Sequence, residues 1–125
     1  MNPSRNTTQK IKILEYLKSV HTHPTAEQVF LKVKKDLPAL TLATVYRNLN
    51  QMTEQGQIVR LELNKEFHFD GDIRSHQHCV CNSCGKIDDL FQEKISQYAL
   101  QEIKDNRFQP VSVTVMFYGI CDTCQ

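Results

Sequence analysis

The sequence predicts an α+β fold in two parts: an N-terminal winged helix-turn-helix and a small C-terminal α/β domain closed by four cysteines. Three observations carry this. The first 65 residues run through three apolar helical patterns and then one hairpin pattern. Beyond residue 75 the periodicity changes to short strands around a single helix. Two C-x-x-C pairs, Cys81/Cys84 and Cys121/Cys124, bracket that second part.

The first helix is predicted from about Thr8, where Ile11, Ile13, Leu14, Leu17 and Val20 recur at helical spacing, and it ends before Pro24. A second begins at Thr25, with Gln28 at the capping-box position and Ala26, Val29, Phe30 and Val33 as its apolar face. The third is capped by Thr41 and buries Leu42, Val45, Leu49 and Met52, which turns Thr44, Arg47 and Gln51 outward with Tyr46 and Asn50 on the flank. Gly56 stops it. Val59, Leu61 and Leu63 then alternate toward a turn at Asn64 and Lys65, and Phe67 and Phe69 return as the second strand. In the second part, strands are expected around His78 to Cys81 and Lys86 to Leu90, a helix through Ile95, Tyr98, Ala99 and Ile103, and a long strand over Val111 to Ile120 with one edge or face suited to a second chain. The expected boundaries are 1–69 for the winged helix, 70–75 for a hinge and 76–125 for the second domain.

A chain of 125 residues with 40% apolar content suits a soluble globular protein. No stretch approaches the ~20 apolar residues of a membrane helix, and the start lacks the apolar core of a signal peptide. A cytoplasmic protein with no membrane partner is expected. Residues 1–65 hold ten Lys/Arg against five Asp/Glu, a balance of +5, whereas 66–125 hold five against nine, a balance of −4. That split suggests a basic half for a polyanion and an acidic half for cations, set against two ordinary solvated surfaces.

Five cysteines in a chain without an export signal argue for metal or redox work rather than disulfides. Each C-x-x-C knuckle puts two thiolates on a tight turn, and two knuckles complete a four-coordinate structural zinc site. A thioredoxin-type role for Cys81 and Cys84 is the competitor, but Gly85 and a strand follow where that motif requires a helix. Cys79 is left over, either an inert thiol or a metal or redox group. His76 and His78 lie one residue apart, so on a strand both rings project from one face, ~7 Å apart along the chain. With Asp70 and Asp89 they form a harder donor set, suited to Fe, Mn, Zn, Co or Ni. A zinc deaminase is excluded because no H-x-E motif or P-C-x-x-C motif is present, and no catalytic triad, phosphate loop or general base can be assembled.

The segments R-N-T-T-Q-K, H-P-T-A-E-Q-V-F, L-A-T-V-Y-R-N-L, H-F-D-G-D, H-Q-H, C-x-x-C-G-K-I-D-D-L and Y-G-I-C-D-T-C resemble, in order and over nearly the whole chain, the motifs of the ferric uptake regulator (Fur) family of metal-dependent bacterial transcription regulators. The resemblance implies a homodimer with a DNA-binding winged helix and a C-terminal dimerisation domain. It implies further that the histidine of H-P-T, His23, joins Asp70, His76, His78 and Asp89 around a regulatory metal. An aspartate in the last position is similar to the peroxide-responsive (PerR) branch, in which ferrous iron reacts with peroxide and a ligand histidine is oxidised. The targets here would be His23 and His76. The implied cofactors are one structural Zn2+ per chain and a regulatory Fe2+ or Mn2+, with Zn2+ able to replace the latter in vitro. The chain begins almost at R-x-T-x-Q, so the extra N-terminal helix of many members is expected to be missing or rudimentary. On double-stranded operator DNA, Tyr46 and Arg47 are the expected base contacts, with Thr44, Lys10 and Lys12 nearer the phosphates. Alternative readings are an iron- or other metal-uptake regulator of the same family, or a zinc-containing protein-interaction module.

Overall fold

The computed structural model describes residues 5–105 and 107–125. The first four residues, on which the reading of the N-terminal start partly falls, lie outside the described residues. Two compact units divide the chain, one ending at Ile73 and the other spanning Arg74–Gln125. Among the described residues no helix is long and apolar enough to cross a membrane.

The first unit holds α1 (Arg5–Ser19), α2 (Ala26–Val33), α3 (Leu42–Glu54) and a hairpin of β1 (Val59–Leu63) and β2 (Glu66–Asp70). Local chemistry sets the helix starts. Thr25 accepts from the Gln28 backbone while the Gln28 side chain accepts from the Thr25 N–H, a reciprocal capping box. Thr41 likewise accepts from the Thr44 N–H. Gly56, at φ 75°, supplies the left-handed residue that ends α3. In the hairpin Leu63 pairs with Glu66, so Asn64 and Lys65 form a two-residue loop. Both have positive φ, 52° and 65°, the arrangement whose twist matches that of the flanking strands.

The core of this unit is built from Ile13, Leu17, Val29, Val45, Leu49, Met52 and Phe69, all essentially buried. Ile11 departs from expectation and stays exposed. The stripe that α1 buries is Gln9, Ile13 and Leu17, spaced four apart, and Ile11 lies two residues off that line. On α3, Leu42 is only half-buried, while Val45, Leu49 and Met52 face inward as predicted.

In the second unit β3 (Gln77–Cys81) is central, flanked by antiparallel β4 (Ile87–Leu90) and parallel β5 (Met116–Gly119). A parallel neighbour needs a long crossover, and α4 (Glu93–Ile103) lies within it. Gln77 is completely buried; its amide nitrogen donates to Ser96 of α4 at 2.7 Å and its amide oxygen accepts from the Gln92 N–H at 3.0 Å. The long strand predicted over Val111 to Ile120 is shorter than expected. β3 offers partners only for Met116–Gly119, with one further bond from the His78 N–H to the Val115 carbonyl. The run before it has no strand alongside among the described residues, and Val111 is 95% exposed. Alternation records which faces are apolar but does not supply a partner strand.

Candidate metal centres and recognition helix

Cys81 ends β3, Cys84 closes the turn after it, and Cys121 and Cys124 follow β5. Because β5 pairs with β3, the last knuckle is delivered beside the first. The four sulfurs lie within 4.8 Å of one another, and the Cys84 and Cys121 sulfurs are 3.8 Å apart. Zinc–sulfur bonds of ~2.3 Å arranged tetrahedrally separate neighbouring sulfurs by ~3.8 Å, so this group could hold zinc. The Cys81 sulfur accepts from the backbone N–H groups of Cys121 and Cys84, which pull its thiol down to about 6. The Ser83 hydroxyl lowers Cys124, but contact with the sulfurs of Cys121, Cys84 and Cys81 outweighs it and pushes that thiol up to about 12. Four adjacent thiols cannot all ionise without a cation among them. Cys79 is half-buried and is not a member of the group.

The histidines and aspartates are placed in two sets, one in each unit. In the first, His23 lies just before the capped start of α2 with φ 53°, a left-handed conformation uncommon for a side chain that is not glycine. Its carbonyl accepts from His68 Nδ1 at 2.7 Å, and the neighbouring Pro24 carbonyl accepts from the Phe69 N–H at 2.9 Å. β2 therefore straps the turn that carries His23. At the end of β2, Asp70 Oδ1 accepts from the Asp72 N–H, while Oδ2 lies 3.3 Å from His23 Nε2. Both side chains are buried.

In the second unit the predicted pairing of the His strand with the Asp strand is present, with His78 directly opposite Asp89. The rings of His76 and His78 close to 4.4 Å between centroids. Asp89 Oδ1 lies 3.2 Å from His76 Nε2 and 3.4 Å from His78 Nε2. His76 Nδ1 faces the Arg74 carbonyl at 2.5 Å, and since a carbonyl only accepts, Nδ1 carries the proton. In the neutral ring Nε2 is then a lone pair pointing at a carboxylate oxygen. Two acceptors at 3.2 Å need a proton or a cation between them. Ligand atoms ~2.1 Å from one ion and at right angles to each other stand ~3.0 Å apart, close to what is seen. Imidazole with carboxylate is a donor set for Fe, Mn, Zn, Co or Ni.

On α3, Tyr46 and Arg47 are exposed and Thr44 is half-buried. Thr41 and Arg47 both reach the Thr44 hydroxyl, at 2.9 and 3.5 Å. Lys10 donates to the Gln55 amide oxygen and Lys12 sits 4.0 Å from Glu15, exposed contacts that cost little to give up.

The sequence profile of the Ferric uptake regulator family matches residues 2–118. The chain belongs to that family. It is therefore a metal-responsive regulator and not an enzyme. The peroxide-responsive repressor PerR of Staphylococcus aureus is 32% identical to this family member over 122 residues, which cover 97% of this chain and 82% of that protein. A peroxide stress regulator from Campylobacter jejuni superposes with a TM-score of 0.81 at 31% identity, covering 96% of this chain and 91% of its own. A ferric uptake regulator from Pseudomonas aeruginosa with manganese gives a TM-score of 0.75 at 26% identity, covering 91% and 87%.

Several residues that support the donor sets in this Fur-family chain carry no motif of their own. The Arg74 carbonyl and Phe91, which stacks on His76 at 4.7 Å, are recognisable only once the strands are placed, as is the bond from His68 Nδ1 to the His23 carbonyl. Gly71 did leave a signal, as the glycine of H-F-D-G-D. A Cβ there would meet the backbone carbon and oxygen of Leu17 at 2.7 Å and the Lys18 nitrogen at 2.8 Å. Gly71→Ala must push the residue after Asp70 off α1. The expected result is a loss of ~1–3 kcal/mol in chemical denaturation of the first unit, together with weaker Mn2+ binding.

Proposed function

We propose that this protein is a homodimeric DNA-binding repressor whose grip on an operator depends on a regulatory ion, and that the ion is iron or manganese in a peroxide-sensing role. The observation that carries the reading is the division of hard donors between the units: His23 with Asp70 in one, His76 and His78 around Asp89 in the other. Neither set alone satisfies a transition metal, which takes four to six donors, while the five together do. An ion held in common would restrict the hinge between the units and set the spacing of two recognition helices toward the ~34 Å that separates successive major grooves. A coupling of ~1–3 kcal/mol is enough for such a switch. The four cysteines would hold a separate zinc as scaffolding.

The exposed face of α3 supports Tyr46 and Arg47 as base contacts, with Thr44 beside them. The run from Val111 to Val115 and the exposed edge at Phe117 suit pairing with a second copy. Aspartate at position 89 and the identity to peroxide-responsive relatives favour peroxide over iron sensing. A bound ferrous ion would supply the redox chemistry that activates hydrogen peroxide; overall the peroxide is the two-electron oxidant and the histidine the reductant, a ring C–H becoming C–OH while the second oxygen leaves as water. His23 and His76 are buried against carboxylates, which holds each ring in place for that outcome.

The test starts from duplexes selected out of a random library by Mn2+-loaded protein. Anisotropy on a selected duplex should show binding that falls at least ~10-fold when the manganese is removed by a chelator that leaves zinc in place. Unchanged affinity refutes the metal switch. Peroxide added to the Fe2+-loaded protein should add one oxygen to the His23 or His76 peptide, a gain absent with Mn2+; no gain points to the iron-uptake alternative. If Arg47→Ala binds the duplex as well as the parent does, a protein-interaction role takes over.

A further inference from the structure

Within the first unit, Tyr46 of α3 donates its phenol proton to Glu27 Oε1 of α2 at 2.5 Å, across nineteen residues of sequence. This bond is the main reason that Glu27 titrates below the ordinary carboxylate range and Tyr46 above the ordinary phenol range. Both residues are exposed, so the contact adds little to stability. Its consequences fall on the face of α3. The only hydrogen that Tyr46 can donate is already committed, which leaves the ring edge to meet an apolar partner such as a thymine methyl rather than a phosphate. A full negative charge also stands on a face otherwise suited to a polyanion, where it opposes every phosphate brought near it.

We propose that Glu27 is a specificity-determining residue of the DNA-binding face: its carboxylate holds the Tyr46 ring in one pose for base contact, while its charge weakens binding to duplexes of any sequence, a loss that only the operator recovers through the ring. The inference rests on the reading of α3 as the helix that contacts bases. It differs from a structural role in predicting opposite changes on two DNAs.

The experiment compares a duplex selected by the Mn2+-loaded protein with a scrambled duplex, across a salt series. Glu27→Gln keeps an oxygen acceptor but drops the charge; it should bind both duplexes ~3-fold more tightly and hold the ratio of selected to scrambled affinity within ~2-fold. Glu27→Ala drops both, so scrambled binding rises equally while selected binding falls ~5–10-fold. Tyr46→Phe should lose selected affinity without altering scrambled affinity, and the Glu27→Ala/Tyr46→Phe double variant should lose no more selected affinity than either alone. Circular dichroism and bound zinc identify any variant that fails to fold. If Glu27→Ala and Tyr46→Phe leave the ratio of selected to scrambled affinity unchanged, the role assigned to Glu27 is wrong. Should Tyr46→Ala and Arg47→Ala also leave that ratio unchanged, the assignment of α3 itself fails, a separate result.

Discussion

Replacing Cys121 with serine is expected to remove zinc from the protein and to unfold the second unit while the first stays folded. The imbalance between the two cores is the reason. Among the described residues thirteen buried apolar side chains, from Ile13 to Phe69, belong to the first unit, whereas only Cys81 and Ile87 belong to the second. A unit of about fifty residues with so little buried apolar surface falls in the range where a metal, a disulfide or a partner chain is needed for stability. Its five cysteines are free, so a disulfide is not the answer. The sulfur cluster closes the sheet at one end by tying the turn after β3 to the segment after β5, and binding free energy at such a site is folding free energy. The measurements are zinc per chain, which should fall from one to none, and thermal unfolding, which should keep the transition of the first unit and lose that of the second. Dimerisation should fail with it. Cys79→Ser is the control: if that substitution strips the zinc instead, the ligand set is misassigned.

What could be read from the sequence, and what could not, divides by the range of the forces involved. Thr25, Thr41 and the Asn64–Lys65 turn act through bonds to near neighbours, so their chemistry was visible in the sequence, as was the spacing of the two knuckles. The position of Asp89 opposite His78 followed from strand pairing once two strands were expected there. His23 was different. Its conformation depends on a hydrogen bond from His68, forty-five residues away, and on the strapping of Pro24 by Phe69; from its own surroundings it reads as a turn residue before proline, and only the resemblance to the family marked it. Ile11 failed because several apolar residues compete for one helix face, and the packing partners choose the stripe. The overlong final strand failed for a related reason, since its inner half has a partner in β3 and its outer half has none among the described residues. The core of the first unit and the cysteine cluster were thus legible, while the supports of the hard-donor residues were not.

Asp89→Ala should abolish the metal response without disturbing the zinc. One oxygen of this carboxylate faces both His76 and His78, so its removal takes away a donor shared by the two imidazoles. Changes to groups that merely orient a ligand, as Phe91 does for His76, typically cost ~10–100-fold in metal affinity. Loss of a ligand itself should exceed that, and Mn2+ affinity is expected to drop by more than ~100-fold, read by competition with a fluorescent chelator. Asp89→Glu keeps the carboxylate on a longer arm and should retain most of the binding, whereas Phe91→Leu should fall between the two. Zinc content and circular dichroism should match the parent in all three, because neither Asp89 nor Phe91 belongs to the sulfur cluster. If Asp89→Ala still binds Mn2+ like the parent, the hard-donor set is not the regulatory site. If it loses Mn2+ yet holds the selected duplex with unaltered affinity, the ion is bound there but does not control the grip on DNA.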